Sequence, residues 1–247
     1  MPNSIAGNRV ARDAVLARVR KAVGKSADRS DALAEAERYV ATHAHGPRPA
    51  MPRDLVARFI ARATDMASTV EQLPNRSYIA KAVARYVNTL ELPASLASHK
   101  ATAGVCWPEL GDLDWAGAGL SIDVRPTIGD DRLGITGCYC AIAETGTLVL
   151  TTGADTPTAT ALLPDTHVAV VNASRIVSGM EEAFALMRAE QGIDDKAGAT
   201  GSRSRTGAPS MPRAFNMISG PSRTGDIEQT IVLGAHGPYR LHILVIG

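Results

Sequence analysis

Residues 220–247 read GPSRTGDIEQTIVLGAHGPYRLHILVIG and carry the strongest fold signal in the chain. The run LHILVI at residues 241–246 is apolar except for one histidine, which is typical of a buried strand. The polar run GPSRTGD at residues 220–226 follows another apolar segment, residues 215–218, and precedes a stretch compatible with a helix. We therefore expect this polar run to lie where a strand gives way to a helix, which is where α/β folds place ligands.

Helical and strand patterns alternate through the preceding part of the chain. The apolar positions of residues 55–66 recur at helical spacing, and a short strand is expected at residues 69–73. Further helices are expected after Ser77, a plausible N-cap, and over residues 180–191. Short β-branched segments lie at residues 120–124, 134–142, 147–151 and 168–171. This alternation predicts an α/β fold with a mostly parallel sheet covered by helices and completed by the closing strand.

The N-terminal part has a different composition. Residues 5–23 and 31–42 are rich in alanine and charge at helical spacing, and the Pro/Gly segment HAHGPRP at residues 43–49 follows them. We expect an N-terminal helical arm with its linker over residues 1–49, and the compact α/β domain over residues 50–247.

Composition and charge exclude several classes of protein. The 247 residues are 45% hydrophobic and 21% charged, which is enough to bury a substantial core. The formal net charge of +1 provides no general field that attracts nucleic acid or an anionic membrane. No run reaches the about 18 uncharged apolar residues that a membrane span needs. We expect no nucleic-acid partner, no membrane span and a cytoplasmic location.

The three cysteines, Cys106, Cys138 and Cys140, limit the redox chemistry of the chain. An iron–sulfur cluster or a tetrahedral zinc ion takes about four ligands, and Cys138-Tyr139-Cys140 is not a CxxC motif. On one strand these two sulfurs point to the same face, as small core side chains do. We expect no metal and no cofactor in this chain.

The turn Glu144-Thr145-Gly146-Thr147 is the first candidate site. Gly146 permits close backbone approach, and exposed amides of Gly146 and Thr147 are suited to an anionic oxygen. Glu144 is then a candidate base, nucleophile or hydrogen-bond acceptor. A turn acid that caps backbone amides explains the same residues without a ligand, so both interpretations stay open.

The polar run near the C-terminus is the second candidate. Ser222 and Thr224 are suited to cap the expected helix, and Arg223 to hold a carboxylate or phosphate in two hydrogen bonds. Asp226 in the first helical turn favours the helix dipole, so an ordinary capping network is the alternative. His236, in the tight turn before the final strand, is a candidate acid or base near neutral pH, or a structural residue.

We expect the two candidate turns to form one pocket, because open α/β sheets gather their ligand-binding loops along one edge. Glu144 and His236 take the catalytic roles in this hypothesis. The remaining candidates bind a small anionic ligand, a carboxylate or phosphate: Gly146, Thr147, Ser222, Arg223, Thr224 and Asp226.

Several blocks resemble the LutC/YkgG family of lactate-utilisation proteins, which carry the LUD domain. They are RDAVLARVR at residues 12–20, IAETGTL at residues 142–148, LLPDTH at residues 162–167 and the closing residues 220–247. The resemblance implies a sugar-isomerase/CoA-transferase-like α/β fold. It also implies one component of a three-protein bacterial system that oxidises L-lactate to pyruvate, whose partner subunits carry the iron–sulfur clusters.

Two other roles stay open beside a ligand-binding subunit of that system. CoA transferases of this fold form an acyl-enzyme on a glutamate closely followed by glycine, and Glu144-Thr145-Gly146 looks similar. An enzyme that uses Glu144 on an acyl or phosphate ligand is therefore the first alternative. The second is a non-catalytic assembly or regulatory subunit that binds protein through its surface turns.

Overall fold

The computed structural model describes residues 5–23, 30–42, 46–90, 102–191, 212–225, 231–234 and 236–247. The chain divides into two compact units, residues 1–48 and residues 49–247. The first unit contains helix α1 (Ile5–Val23) and helix α2 (Ser30–Thr42), and their described side chains are exposed. Both helices form where the sequence predicts them.

A six-stranded parallel sheet is the centre of the second unit. Its spatial order is β1 (Thr69–Leu73), β12 (Arg240–Ile246), β7 (Thr166–Asn172), β4 (Leu133–Thr136), β2 (Ala103–Cys106) and β3 (Ser121–Val124). Strand β12 lies inside the sheet, parallel to β1 on one side and to β7 on the other. Its residues from Leu241 to Val245 are at most 5% exposed, which explains why this segment is apolar along its whole length.

A four-stranded sheet packs over one face of the parallel sheet. Its order is β8 (Ile176–Val177), β5 (Cys140–Ile142), β6 (Thr147–Thr151) and β9 (Phe215–Ile218), with β6 antiparallel to both neighbours. The prediction of a single strand over residues 134–142 is therefore wrong. The chain turns after Thr136, so β4 and β5 belong to different sheets.

In the described part of the second unit, four helices cover these sheets: α3 (Leu55–Asp65), α4 (Ile79–Asn88), α5 (Ala159–Leu162) and α6 (Met180–Gln191). Helix α4 packs on one face of the parallel sheet, where Val83 shares a core with Leu244. Helix α3 packs on the opposite face, where Phe59 shares a core with Ile243 and with residues of the small sheet. Helix α6 covers the small sheet through Ala183. The α/β class with a mostly parallel, helix-covered sheet is confirmed.

Within the described ranges, no helix is long and apolar enough to cross a membrane.

We propose that the two units are separate domains, and expect a variant that lacks residues 1–48 to fold. All three apolar cores of the second unit are built from residues 51–246. The truncated chain should unfold cooperatively, with a midpoint within about 4 °C of the full chain, which corresponds to about 1 kcal/mol or less. Thermal circular dichroism measures this. Phe59→Ala, which empties a fully buried site, is the destabilised control, and a non-cooperative transition in the truncated chain would contradict the proposal.

Candidate functional site

The Glu144 turn connects β5 to β6 in the small sheet. The Glu144 N–H donates to the carbonyl of Ser178 at 3.0 Å, and the Gly146 N–H donates to the carbonyl of Ile142 at 3.0 Å. The Gly146 amide is therefore used inside the turn, and the expectation that it is exposed to receive an anion is wrong. The hairpin pairing of β5 with β6 closes the turn and consumes this donor.

Gly146 has a packing role. Its φ is +69°, and a Cβ atom there would lie 2.4 Å from the backbone nitrogen of Ala63, near the end of α3. Gly220 contacts the same end of the helix, because its φ is +86° and a Cβ atom there would lie 2.2 Å from the carbonyl oxygen of Met66. Both candidate turns therefore pack against the C-terminal end of α3, and both need glycine to do so.

Thr147 links the two segments through hydroxyl groups. Its Oγ1 lies 2.6 Å from Oγ1 of Thr145 and 2.7 Å from Oγ of Ser219. The register of β6 and β9, which places Leu148 opposite Ile218, explains this contact. The structure thus brings Thr147 beside Ser219, the residue that precedes the polar run.

The prediction that a helix begins in the polar run is wrong. Arg223–Gly225 forms strand β10, which pairs antiparallel with β11 (Ile231–Leu233). The polar run thus provides no helix-start amides among its described residues. Ser222 instead donates its N–H to Pro238 at 2.9 Å, and its Oγ accepts from the His236 N–H at 3.3 Å. Asp226 lies outside the described residues.

These turns lie at the amino end of the parallel strands. His236 precedes the start of β12, and the N–H of Arg240 donates to Asp165, the residue before β7. Met66, beneath Gly220, leads into the start of β1. Because open α/β sheets bind ligands outside the carboxyl ends of their strands, the assumption that these turns line the ligand-binding edge is wrong. A common pocket of Glu144, Arg223 and His236 stays a prediction.

Two buried histidines lie within the parallel sheet. Nε2 of His167 is 2.8 Å from Oγ1 of Thr136, and Nδ1 of His242 is 2.7 Å from Oγ1 of Thr69. The His242 ring also stacks on Tyr86, with the ring centroids 3.9 Å apart. Burial lowers the pKa of His167 to about 3 and the pKa of His242 to about 4. Both rings are therefore neutral at physiological pH and form part of the packed interior.

A crevice of about 160 Å³ opens at the opposite, carboxyl end of the parallel strands. We call it the carboxyl-edge crevice. One water occupies about 30 Å³ of liquid, so this volume suits a small molecule. Its lining residues are Arg76, Ile79, Glu109, Leu110, Gly137, Cys138, Val170, Asn172 and Ile246.

The strand order makes this crevice a candidate ligand-binding site. Strands β2 and β4 are neighbours, but the chain leaves β2 toward β3 and leaves β4 toward β7, in opposite directions. Such a pair is a topological switch point, and open α/β sheets bind ligands in the crevice that it creates. Glu109 follows β2 and Gly137 follows β4, so both line the crevice at the switch point.

Arg76 stands at one wall of the crevice in a fixed position. It lies in a 3₁₀ turn after β1, and its two terminal nitrogens donate to the carboxylate of Asp112 at 2.7 and 2.5 Å. One of them also donates to the backbone carbonyl of Glu109. The hydrogen bonds of this pair raise the pKa of Arg76 and lower the pKa of Asp112. The guanidinium is thus positioned with its charge matched by Asp112.

The Glu109 carboxyl lies in the crevice with a pKa raised above its ordinary value. Burial raises its pKa above the ordinary value, although the Arg76 charge and a hydrogen bond from the Gly137 backbone act in the opposite direction. A Cβ atom at Gly137 would lie 1.6 Å from Oε1 of Glu109, so a side chain there would displace this carboxyl from its position. A carboxyl of raised pKa in a crevice is suited to general acid–base work.

Cys138 is a protonated thiol at the base of this site. Its Sγ donates to the carbonyl of Cys140 at 2.7 Å, and burial raises its pKa. It packs in the core under α3, whereas Cys140 packs under α6, so the expected common face of the two sulfurs is wrong. The reason is that Cys138 precedes β5 and lies in the connection between the sheets.

Sequence patterns did not indicate Arg76 or Glu109 as site residues. Both stand in 3₁₀ turns directly after short strands, β1 and β2. The available signal was position, since a charged residue just after a parallel strand lies at the ligand-binding edge. Strand β2 has the sequence AGVC, which is too short and too mixed to be recognised by periodicity.

In the part of the chain that the structure describes, no three His, Cys, Asp or Glu side chains are grouped to hold a metal ion.

Comparison with known proteins identifies the family. The profile of the LUD domain matches residues 111–246. A lactate utilization protein C from Deinococcus radiodurans is 31% identical over 211 residues, which cover 82% of this chain and 89% of that protein. The chain belongs to the LUD domain family. The segment that the LUD domain profile matches includes Gly137 and Asn172 of the crevice and begins after Glu109.

Other relatives match this chain over shorter segments. Proteins named lactate utilization protein C from Bacillus licheniformis and Bacillus subtilis are 29% and 35% identical, over 57% and 47% of this chain. The chain covers 53% and 42% of their lengths, about half of each. A crystal structure of a DUF162 family protein from Deinococcus radiodurans superposes with a TM-score of 0.52 at 21% identity, covering 81% of this chain and 100% of the other, which shows the shared fold.

Gly146→Ala is expected to destabilise the LUD domain more than Gly119→Ala does. Both glycines have positive φ, +69° and +80°, but nothing lies within 4 Å of a Cβ atom at Gly119. The control therefore costs only the left-handed conformation, about 1–2 kcal/mol, whereas Gly146→Ala adds the clash with Ala63, for about 2–5 kcal/mol in total. Urea unfolding gives both free energies of unfolding. Equal losses would show that the turn does not depend on close packing against α3.

Proposed function

We propose that this chain is a component of a bacterial system for L-lactate utilisation. The observation that supports this most is the similarity to the lactate utilization protein C of Deinococcus radiodurans, which extends over 82% of this chain and 89% of that protein. The relatives of the same name in two Bacillus species support the assignment for the part of the chain that they match.

In this proposal, the system oxidises L-lactate to pyruvate, and partner subunits carry the iron–sulfur clusters that receive the electrons. This chain contributes ligand binding and no redox cofactor of its own. Cys106 and Cys140 are buried thiols, and burial raises the pKa of each to about 11, so both stay protonated. The thiolate form that clusters require is therefore disfavoured at these two positions. Free cysteines also suit the reducing cytoplasm, where we place the protein.

Ligand binding in this proposal takes place in the carboxyl-edge crevice. Arg76 and Glu109 lie there beside Gly137, which follows β4, and Asn172, the last residue of β7. The two alternatives that the sequence left open have less support from the geometry. Gly146, two residues after Glu144, is explained by its contact with α3, so the likeness to an acyl-enzyme motif loses its main reason. A purely assembling subunit has no need of a raised-pKa carboxyl in a switch-point crevice.

Deletion of the gene is expected to abolish growth on L-lactate and to leave growth on pyruvate intact, because only the oxidation step is lost. Growth curves on each carbon source measure this, and a plasmid copy of the wild-type gene should restore growth on L-lactate. Co-purification of a tagged chain from lactate-grown cells should recover proteins with an iron–sulfur absorption spectrum. Normal growth of the deletion strain on L-lactate would contradict the proposal.

A further inference from the structure

We infer that the carboxyl-edge crevice binds a small hydroxycarboxylate together with one proton, and that Glu109 holds this proton. The choice of a hydroxycarboxylate rests on the proposed function. The proton is inferred from the charges and contacts of the crevice itself.

The charge count of the crevice is the first step. Arg76 is bound in two hydrogen bonds to Asp112, which lies outside the lining and matches the Arg76 charge, so no second cation of the lining offsets an ionised Glu109. The other titratable group in the lining is Cys138, which stays a neutral thiol because burial raises its pKa. A bound carboxylate would thus face a second carboxylate with no unmatched cation among these groups. Two carboxylates that share such a site hold one proton between them.

The position of Glu109 makes it the group that takes this proton. Its backbone carbonyl accepts from Arg76, and its carboxyl lies directly against Gly137. The site already disfavours the ionised form through burial, which raises the pKa of Glu109. Once protonated, the carboxyl becomes an O–H donor and can hydrogen-bond a ligand carboxylate or hydroxyl.

The remaining lining fits a short ligand with one polar end. Ile79, Val170 and Ile246 provide an apolar wall for a methyl group. Asn172 lies beside them, and its Oδ1 accepts from the N–H and the hydroxyl of Ser174 at 2.9 and 2.7 Å. The amide NH₂ is therefore the half of Asn172 that can donate to a ligand. A volume of about 160 Å³ admits a ligand of a few carbons.

Coupling of binding to a proton gives a defined pH dependence. The ligand binds the form in which Glu109 is protonated, so affinity is highest at low pH. Above the pKa of the free carboxyl, each unit of pH weakens binding by up to about tenfold, until the pKa of the bound form is passed.

Calorimetric titration of the full purified chain with L-lactate, at pH values from 5.5 to 7.5 in two buffers of different ionisation enthalpy, tests the inference. We expect uptake of close to one proton per ligand and a dissociation constant that rises about 3- to 10-fold per pH unit. Glu109→Gln mimics the protonated carboxyl, so it should retain binding but lose both the proton uptake and the pH dependence. Glu71→Gln is the matched control, because Glu71 lies in β1, pairs with Arg85 and does not line the crevice.

The outcomes separate this inference from the proposed function. Binding of L-lactate that is independent of pH, or a pH dependence that persists in Glu109→Gln, overturns the role of Glu109. Proton-coupled binding of acetate without binding of L-lactate overturns the hydroxycarboxylate and counts against the proposed function. If neither carboxylate binds, the crevice site is overturned, and the growth of the deletion strain still decides the proposed function. Circular dichroism confirms that each variant is folded.

Discussion

The structure depends on the parallel pairing of β12 with β1 on one side and β7 on the other. This pairing joins the first strand of the sheet to the last, as the contact between Thr69 and His242 shows across a separation of 173 residues. Both faces of β12 are buried, with Leu244 in one core and Ile243 in the other, so burial holds its register on both sides. Because all six strands then point the same way, the molecule acquires two chemically different edges.

The degree of burial decides which polar groups are charged inside the parallel sheet and at its carboxyl edge. Inside the sheet, His167 and His242 each contact a threonine hydroxyl and are kept neutral, because burial lowers the pKa of both. At the carboxyl edge, Arg76 and Asp112 keep full charges because each matches the other in a partly exposed position. Glu109 lies between these conditions, which makes it the carboxyl whose protonation a ligand can change.

Local patterns in the sequence predicted most of the elements but not the site. The strand at Thr69–Leu73 and the helix at Met180–Gln191 were correct to the residue, because periodicity and capping are local properties. The helix expected after residues 220–226 failed because its residues pair with β11, a contact that periodicity does not encode. The edge on which each turn lies depends on strand direction and order, which are properties of the whole sheet. Glu109 was missed for that reason.

The glycines of the molecule serve two different purposes, the packing of turns and the space beside a candidate site residue. Gly146 and Gly220, both in sequence blocks that resemble the LUD domain family, are needed so that two turns can pack against α3. These two glycines are therefore required by the fold, and an alanine at either position disrupts the packing of a turn against α3. Gly137 makes room for Glu109, a residue just before the segment that the family profile matches. Since function lies in sites placed on a fold, substitutions at Arg76 and Glu109 can alter the ligand while the family's packing residues stay the same.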